Sequence, residues 1–314
     1  MQETVRAVVV NRSRKLCLER VDLAPALAAA ATIRVTAISL NRGEVNRSLS
    51  QADAGFRPGW DFVGVVEEAA ADGTGPAPGT RVVGILPSGA WAERVRAPAN
   101  ALAALPAEVT DAQAATLPVA GLTALHALRQ GGLSLGRKIL VDGATGGVGH
   151  LAVQLAATAG AQVFAQVRRP EQASLVAPWC GERVIVSPDL RTAAASGPYH
   201  LVLDSLGGSA LSAALAMLAP GGTCVTFGVS ESPTATIESG VFFRQGGVRL
   251  YGLILFHELT SAPAGEDLAL LAHEIAQGRL SPHIAVESEW TDIDAIARRL
   301  LAREFAGKAV LHVR

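Results

Sequence analysis

The sequence "ILVDGATGGVGHLAVQLAATAGAQVFAQVRRP" at positions 139–170 decides the fold of this chain. A short apolar run ends at Gly143, and apolar residues then recur at helical spacing until Gly160. A second apolar run follows at 161–167. The pattern predicts a β-strand, a tight turn, an α-helix and a second strand. This is a βαβ unit with a glycine-rich turn at its first junction.

The glycines of this turn are unusually regular. Gly143, Gly146 and Gly149 recur at every third residue, and Gly147 is added between them. Glycine permits positive φ and lets backbone N–H groups approach a pyrophosphate, while the helix N-terminus supplies partial positive charge. The alternative is a turn that needs glycine for its backbone geometry alone. Because the strands and the helix accompany the glycines, we favour a dinucleotide site.

The same alternation continues downstream. Apolar runs that end in turn residues lie at 182–186, 199–208, 221–228 and 247–255, and a helical pattern lies at 209–220. With the first two strands they predict six parallel strands separated by helices, a doubly wound α/β sheet. Ligands bind at the carboxyl ends of such strands, where Asp204, Phe227 and Gly228 should gather near the glycine turn. Asp204 could instead only cap or brace a loop.

The flanking regions have a different pattern. Strand-like pieces at 4–10, 31–40, 61–69, 80–86 and 89–98 are interrupted by Pro and Gly at close intervals, which predicts a β-rich lobe. From about 256 the chain has a helix (267–280), a strand (284–288), a helix (292–304) and a strand (307–313). We therefore predict one lobe from residues 1–112 and 256–314, a dinucleotide-binding domain over 113–255, and a cleft between them.

Composition excludes several classes of partner. The 314 residues are 49% hydrophobic with a formal net charge of -1, and no block of like charges indicates nucleic-acid or anionic-membrane binding. No apolar run approaches the ~18 residues of a membrane span. Cys17, Cys180 and Cys224 are far apart and odd in number, which argues against a disulfide framework. We expect a cytoplasmic protein with a small-molecule substrate.

Six ordered motifs carry a resemblance to a known family. They are "SLNRGEV" (39–45), "PGWDFVGVV" (58–66), "PGTRVVG" (78–84), "LPVAGLTAL" (117–125), "GATGGVGHLAVQLA" (143–156) and "GKAVLHV" (307–313). Over essentially its whole length the chain resembles the medium-chain dehydrogenase/reductase superfamily, in its zinc-independent, quinone-reductase-like branch. The resemblance implies a GroES-like β-rich lobe plus a Rossmann domain, a nicotinamide cofactor in the cleft, and commonly a homodimer.

The resemblance also implies roles for individual residues. Asn41 should lie beside the nicotinamide and the substrate, and Arg42, Glu44 and Trp60 should form the pocket wall. Trp60 could instead belong to the core, and Glu44 could be a surface or turn acid. The cofactor-binding residues would be Thr123, Gly143, Ala144, Thr145, Gly146, Gly147, Val148, Gly149, Arg168, Arg169, Asp204, Phe227 and Gly228.

The zinc ligands of the zinc-dependent relatives are missing. Those relatives have a cysteine at the position of Asn41, a histidine at that of Trp60 and a cysteine near Val119. Their structural zinc needs four closely spaced cysteines, whereas this chain has three in total, none of them clustered. We expect no metal at either site. Without a Lewis acid, the favoured substrate is a quinone or an α,β-unsaturated carbonyl, which spreads the charge added with a hydride.

The end of the second strand indicates which nicotinamide is used. NAD-specific domains place Asp or Glu there, but this chain has Val167, followed by Arg168 and Arg169. The arginines stand where the 2′-phosphate of NADPH would lie, so we expect NADPH. The alternative is two solvated arginines on an exposed turn.

Two points of function stay open in the sequence. The proton donor is unassigned, because Asn46 stands where many relatives have tyrosine, and His126 and His150 fall on predicted helices, where surface or capping roles are expected. The function itself has two interpretations. The first is an NADPH-dependent reductase of quinones or enones, with a natural-product tailoring role as one form. The second is a nicotinamide-binding protein without turnover, acting as a redox sensor or through its surface.

Overall fold

The computed structural model describes residues 3–314. The chain forms two compact units, which we call unit 1 and unit 2. Unit 1 runs to Leu122 and resumes at Leu259, and unit 2 spans Thr123–Glu258. These bounds lie further along the chain than the boundaries predicted after residues 112 and 255.

The strands and helices, numbered in chain order, have the following bounds. The strands are β1 (Thr4–Val10), β2 (Leu16–Asp22), β3 (Ala30–Leu40), β4 (Asp61–Glu68), β5 (Arg81–Ile85), β6 (Arg94–Pro98), β7 (Leu102–Ala104), β8 (Lys138–Val141), β9 (Gln162–Val167), β10 (Val184–Val186), β11 (Tyr199–Asp204), β12 (Leu218–Thr226), β13 (Arg249–Gly252), β14 (Ile284–Glu289) and β15 (Lys308–His312). The α-helices are α1 (Arg42–Ser50), α2 (Asp111–Ala115), α3 (Leu122–Arg129), α4 (Gly147–Thr158), α5 (Ala177–Cys180), α6 (Gly208–Ala216), α7 (Gly240–Gln245), α8 (Leu255–Glu258), α9 (Ala264–Ala276) and α10 (Ile293–Leu301).

Unit 2 contains a six-stranded parallel sheet. Its strand order is β10-β9-β8-β11-β12-β13, which is 3-2-1-4-5-6 within the unit, the order of the doubly wound dinucleotide-binding fold. Because the order reverses between β8 and β11, the crevice at the carboxyl ends of these two strands is the ligand-binding position of such a sheet. The predicted parallel α/β sheet is therefore confirmed, together with its six strands.

Unit 1 is rich in β-structure. A seven-stranded sheet has the order β14-β15-β3-β4-β5-β7, with β6 also paired to β3, and β1 and β2 form a separate antiparallel pair. Strands β14 and β15 are parallel, whereas β15, β3, β4 and β5 pair antiparallel in succession. The core of the unit is built on Trp91, Trp290 and Phe62, all essentially inaccessible.

The segment between α2 and α3 explains the later boundary of unit 1. Helix α2 packs against β3 and β4, and a π-helical turn at Leu117–Gly121 packs against β4, β5 and α9. Residues 111–121 therefore bury their apolar side chains in unit 1. The predicted boundary after residue 112 had placed residues 113–121 in the dinucleotide domain.

Two local predictions differ from the structure. The helical pattern at 209–220 ends at Ala216, and β12 begins at Leu218 because this residue packs in the core of unit 2. Strand β2 was not predicted, since its alternation of buried and exposed residues is weak. Among residues 3–314, no helix is long and apolar enough to cross a membrane.

Candidate functional site

The glycine turn of unit 2 joins β8 to α4. Gly143 has a φ of +53°, and a Cβ there would lie 2.5 Å from Ser205 Oγ. A Cβ on Gly149 would lie 2.4 Å from the carbonyl oxygen of Gly143. Both distances are too short for a side chain, so these two glycines are required by the turn and by its contact with the helix.

Gly146 differs from Gly143 and Gly149. It is exposed, has a φ of −73° that any residue adopts, and precedes the first residue of α4. The first turn of this 12-residue helix has no acidic residue. The N–H groups of a first helical turn lack intrahelical partners, and the helix dipole favours an anion there. The turn therefore fits the pyrophosphate of a dinucleotide, with Gly146 at its exposed edge.

The carboxyl groups of Asp142 and Asp204 are buried close to the glycine turn. Asp142 Oδ1 accepts hydrogen bonds from the backbone N–H and the hydroxyl of Ser205, at 2.8 and 2.9 Å. Burial and the neighbouring Asp204 carboxylate raise the pKa of Asp142 well above its usual range. Asp142 therefore keeps its proton to a higher pH than an exposed aspartate, and it links the end of β8 to the loop after β11.

Asp204 has the bracing role that the sequence left open. It is fully buried, its Oδ1 accepts from the N–H groups of Leu206 and Gly207, and its Oδ2 accepts from the Thr226 hydroxyl. These bonds join the ends of β11 and β12. The carboxylate thus stabilises the loops at this edge of the sheet and is not itself accessible.

The remaining predicted cofactor residues of unit 2 lie near the same edge or on α3. The N–H of Phe227 donates to the carbonyl of Asp204 at 3.0 Å, and a Cβ on Gly228 would lie 2.8 Å from the carbonyl oxygen of Ser205. Thr123 is nearly buried in the first turn of α3. Ala144 and Thr145 are buried, whereas Gly147 and Val148 are partly exposed.

Arg168 and Arg169 directly follow β9 and are both exposed. Their backbone N–H groups both donate to Gln172 Oε1, which fixes the turn before the 3₁₀ helix at Pro170–Leu175. The Arg169 guanidinium forms an exposed ion pair with Glu171, with Nε 3.1 Å from Oε1. Such pairs are weak, so this pair leaves the guanidinium available to a phosphate.

His126 and His150 do not have the predicted surface role. Both lie on helices, but each is only 5% exposed. His126 Nδ1 lies 4.0 Å from Glu258 Oε2, and the His150 ring packs edge-on against Trp179. The prediction of a surface role was wrong because the sequence did not show which face of each helix is buried.

In unit 1, five polar side chains meet where β3, α1, β4 and β15 converge. We call this group the Asn41 cluster; it consists of Ser39, Asn41, Glu44, Asp61 and Lys308. Asn41 is partly exposed, whereas the other four are at most 4% exposed. Burial of three ionisable groups requires that they be paired or neutralised, so the hydrogen bonds of this cluster decide its chemistry.

Lys308 and Asp61 form the charged centre of the cluster. The ammonium Nζ donates to Asn41 Oδ1 at 2.6 Å and to the carbonyl of Leu40 at 3.0 Å, and lies 3.3 Å from Asp61 Oδ2. Asn41 Nδ2 donates to Asp61 Oδ2 at 2.8 Å and to Glu44 Oε2 at 2.9 Å. All three ammonium protons are thus used, and Asn41 joins the ion pair to the third ionisable group.

Further bonds complete the coordination of Asp61. The Ser39 hydroxyl donates to Oδ2 at 2.6 Å, and the N–H of Val119 donates to Oδ1 at 3.0 Å. Val119 lies in the π-helical turn Leu117–Gly121. Such turns expose backbone groups that a regular helix would bond internally, and here one N–H is given to a buried carboxylate.

Glu44 is the member of the cluster whose carboxyl group is not fully hydrogen-bonded. Its Oε2 also accepts from the backbone N–H of Asn41 at 3.1 Å, but its buried Oε1 has no hydrogen-bond partner among the described residues. Burial, together with the negative charge of Asp61, raises the pKa of Glu44 well above its usual range, although the hydrogen bonds from Asn41 and the charge of Lys308 oppose the shift. Glu44 therefore keeps its proton to a higher pH than an exposed glutamate. Glu44 is not a surface acid, but it does act as a turn acid, because its carboxyl caps the first turn of α1 through the Asn41 N–H.

This raised pKa makes stability depend on pH in a defined direction. A carboxyl with a higher pKa in the folded state binds more protons when folded, so its contribution to stability is complete below the unfolded value of about 4.3 and is lost as the pH rises through the folded pKa. The variant Glu44→Gln mimics the protonated acid and does not titrate. We therefore expect the free energy of unfolding of the wild type to fall relative to the variant as the pH rises above the unfolded value of about 4.3, as measured by urea unfolding. A difference that is constant with pH would contradict a raised pKa of Glu44.

The other two predicted wall residues lie beside the cluster. The Arg42 guanidinium donates to the carbonyls of Leu300 and Leu301 at the end of α10, at 2.9 and 3.3 Å, where a cation is favoured by the helix dipole. Trp60 is partly exposed, so it does not belong to the core. Its indole Nε1 donates to the carbonyl of Pro87, and its ring lies 3.6 Å from where a Cβ on Gly43 would be.

These side chains do not fit a zinc ion. Zinc takes thiolate, imidazole or carboxylate donors, whereas Asn41, Trp60 and Val119 offer an amide, an indole N–H and an aliphatic chain. The ammonium of Lys308, 2.6 Å from Asn41 Oδ1, would repel a divalent cation there. Among residues 3–314, no group of three or more His, Cys, Asp or Glu side chains is placed to hold a metal ion.

Sequence reasoning missed the centre of this cluster. Asp61 and Lys308 lie inside two of the recognised motifs, "PGWDFVGVV" and "GKAVLHV", but neither was singled out. The available signal was a charged residue directly before an apolar run in both cases, Phe62–Val66 and Ala309–Leu311. The pairing itself could not be found, because 247 positions separate the two residues.

Comparison with known proteins identifies the family. Residues 28–107 match the alcohol dehydrogenase GroES-like domain, and residues 147–270 match the zinc-binding dehydrogenase domain. The quinone oxidoreductase of Thermus thermophilus, whose structure was determined also in complex with NADPH, is 31% identical with a TM-score of 0.82, and the match covers 98% of this chain and 99% of that one. The chain therefore belongs to the medium-chain dehydrogenase/reductase superfamily, in its quinone oxidoreductase-like branch. The predicted GroES-like lobe and Rossmann domain are confirmed.

Two further relatives are much larger proteins. A mycocerosic acid synthase-like polyketide synthase of Mycobacterium tuberculosis is 31% identical over 294 residues, and a spectinabilin polyketide synthase protein of Streptomyces orinoci is 34% identical over 289. These matches cover 90% and 89% of this chain but only 14% and 13% of the synthases. The chain thus corresponds to about one seventh of each synthase.

Proposed function

We propose that the protein is an NADPH-dependent, zinc-independent oxidoreductase that reduces a conjugated acceptor, either a quinone or an α,β-unsaturated carbonyl. The observation that carries the proposal is the glycine turn, with Gly146 exposed at the N-terminus of α4. Bound NADPH would supply a hydride. The turn and the first helical turn would hold its pyrophosphate through backbone N–H groups.

The preference for NADPH rests on the end of β9. Val167 is buried and apolar where an NAD-specific domain has an acid, and the exposed Arg168 and Arg169 follow it. Guanidinium groups bind phosphate through charge-assisted hydrogen bonds. The NADPH complex of the Thermus thermophilus relative agrees with this cofactor.

The conjugated acceptor follows from the charges in the Asn41 cluster. Reduction of an isolated ketone concentrates negative charge on one oxygen, which needs a strong electrophile such as zinc. The ammonium of Lys308 is fully engaged inside the protein. An acceptor that spreads the charge into an enolate or phenolate requires less stabilisation. The similarity to polyketide synthases supports a natural-product tailoring role.

We also propose that the protein forms a homodimer. Strand β13 is an edge of the unit 2 sheet, and an unpaired edge can accept a strand from another copy. Leu250 on this strand, Ile254 and Phe243 are exposed by 39, 69 and 87%. Light scattering on the purified protein measures the molar mass in solution and tests this proposal.

The experiment that tests the function is NADPH consumption by metal-chelated protein with a series of quinones, enones and enoyl thioesters. We expect turnover with conjugated acceptors and no effect of chelation. The variant Gly146→Val places a branched side chain against the pyrophosphate, and overpacking of this kind corresponds to a roughly 5- to 150-fold loss of cofactor affinity. Gly146 is exposed with an ordinary φ, and a Cβ there would meet only the carbonyl oxygen of Gly143, at 3.2 Å, so the fold should persist after a small shift of the turn, as circular dichroism would show.

The outcomes separate the interpretations. Binding of NADPH without turnover of any acceptor would favour a nicotinamide-binding protein that is not an enzyme. A stoichiometric metal whose removal abolishes turnover would contradict zinc independence. Unchanged NADPH affinity in Gly146→Val would mean that the glycine turn is only architectural, and the smaller Gly146→Ala is the matched control for a graded effect.

A further inference from the structure

The hydrogen bonds of Asn41 use almost all the donor and acceptor positions of its side chain. A primary carboxamide has two N–H donors and an oxygen with two lone pairs. Both donors of Nδ2 are used, by Glu44 Oε2 and Asp61 Oδ2, and one lone pair of Oδ1 accepts from Lys308. The Glu44 backbone N–H faces the same side chain in the capping box of α1 but makes no hydrogen bond to it, so one lone pair of Oδ1 remains for a ligand.

The orientation of the carboxamide is fixed by the chemistry of its neighbours. The ammonium of Lys308 can only donate, so the atom 2.6 Å from it must be the oxygen. The Asp61 carboxylate can only accept, so the atom 2.8 Å from it must be the nitrogen. Rotation of the carboxamide by 180° would place the N–H₂ against an ammonium and the oxygen against a carboxylate.

Exposure identifies Asn41 as the member of the cluster that meets a ligand. Ser39, Glu44, Asp61 and Lys308 are between 0 and 4% exposed, whereas Asn41 is partly exposed. Lys308 and Asp61 cannot touch a ligand without leaving their partners. Their effect on binding must therefore act through Asn41.

We propose that the buried Lys308–Asp61 ion pair is a positioning device that fixes the polarity of Asn41, so that this residue accepts a hydrogen bond from the bound ligand and never donates one. The proposal rests on the function proposed above. The ligand group that meets Asn41 is then an N–H or O–H donor. It is either the carboxamide of the nicotinamide or a hydroxyl of the substrate.

This polarity has a consequence for the reaction. At the position of a zinc ligand in related enzymes, the protein presents a partial negative charge. Asn41 therefore cannot stabilise the enolate or phenolate oxygen that forms when the acceptor receives a hydride, and that oxygen must point elsewhere. Asn41 selects and orients a ligand through a donor group, and Lys308 and Asp61 keep it in that state.

Two pairs of ligands distinguish the sources of the donor. NADPH and its 3-acetylpyridine analogue differ in that a methyl group replaces the carboxamide N–H₂. A hydroxylated quinone and its methoxy counterpart differ in one O–H. If the cofactor is the source, the wild type should bind NADPH about 2- to 10-fold more tightly than the analogue, the effect of one hydrogen bond. If the substrate is the source, KM should show the same ratio for the quinone pair.

The variants test the role of the ion pair. Asn41→Leu should abolish the discrimination, that is, the tighter binding of the ligand that carries the N–H or O–H donor. Lys308→Met combined with Asp61→Asn removes both charges together, so the carboxamide can rotate and the discrimination should also be lost. The double variant Arg81→Met with Asp111→Asn removes another partly buried pair of unit 1, with Nη2 and Oδ1 in close contact, and should leave the discrimination intact. Lys308→Arg keeps a donor and should retain it.

A measurement on the wild type tests the proposal even if the double variant Lys308→Met with Asp61→Asn, here called the charge-free variant, does not fold. The side-chain N–H₂ resonances of Asn41 are identified by their absence from Asn41→Leu. With both protons held by carboxyl groups, we expect slow exchange with solvent and little change of these resonances when ligand binds. Fast exchange of these protons, or a large shift of one on binding, would overturn the proposal.

The results separate this proposal from the proposed function. A wild type that binds no dinucleotide contradicts the function, and the exchange of the Asn41 protons then still decides the polarity. Binding of dinucleotide without discrimination in either ligand pair overturns the polarity of Asn41 alone. Discrimination that is lost in Asn41→Leu but kept in the charge-free double variant shows that Asn41 is an acceptor without help from Lys308 and Asp61, which also overturns the proposal.

Discussion

Replacement of Lys308 by Met should lower the free energy of unfolding by about 3–5 kcal/mol, because it removes one partner of a buried ion pair. Lys308 and Asp61 have side chains that are 5 and 0% exposed. Methionine preserves most of the aliphatic stem but removes the positive charge and three hydrogen-bond donors. The carboxylate of Asp61 would then be buried without a cation. Urea unfolding of both proteins at pH 7 measures the difference.

Adding Asp61→Asn to Lys308→Met provides the control. In Lys308→Met with Asp61→Asn the uncompensated charge is absent, so much of the lost stability should return, since replacing a whole buried pair is often close to neutral. The double-mutant cycle isolates the coupling between the two residues. If Lys308→Met unfolds at the same urea concentration as the wild type, Asp61 is not charged in the folded protein and the assignment of the cluster is wrong.

The fold of unit 2 was predictable because its signals are local. The glycine turn, the adjacent apolar run and the helical spacing up to Gly160 lie within about thirty residues, and each agrees with its neighbours. The sequence placed β9 and β11 correctly for the same reason. The unit boundary after Leu122 was not predictable, since it depends on which sheet buries residues 111–121, a tertiary choice that composition does not reveal.

The two candidate sites differ in how much the sequence reveals. The geometry of the glycine turn is a property of the backbone, so the glycines in the sequence predict it directly. The Asn41 cluster depends on a lysine from β15 that reaches a carboxylate at the start of β4, and no spacing rule connects these strands. Asn41 and Glu44 were found through the resemblance alone. Their state, an amide of fixed polarity and an acid whose pKa is raised, became visible only from the burial of this cluster and the hydrogen bonds of Lys308 and Asp61.

Replacement of both Arg168 and Arg169 by Ala should weaken NADPH binding by roughly 10- to 150-fold and leave NADH binding nearly unchanged. The estimate is the effect of about one charge-assisted hydrogen bond to the 2′-phosphate, 1.5–3 kcal/mol. Both side chains are exposed at the end of β9, and their backbone N–H groups are held by Gln172. The turn should therefore keep its shape without the guanidinium groups. Fluorescence titration with each dinucleotide measures the two affinities.

Salt and a neighbouring carboxylate provide independent checks. Exposed charges are screened at high ionic strength, so NADPH affinity should depend less on salt in the double variant than in the wild type. Glu171, which pairs with Arg169, competes with the phosphate for the guanidinium. The matched control Glu171→Gln should therefore bind NADPH as tightly as the wild type or more tightly. Equal losses for NADPH and NADH in the arginine variant, or a wild-type preference for NADH, would show that these arginines do not bind the 2′-phosphate.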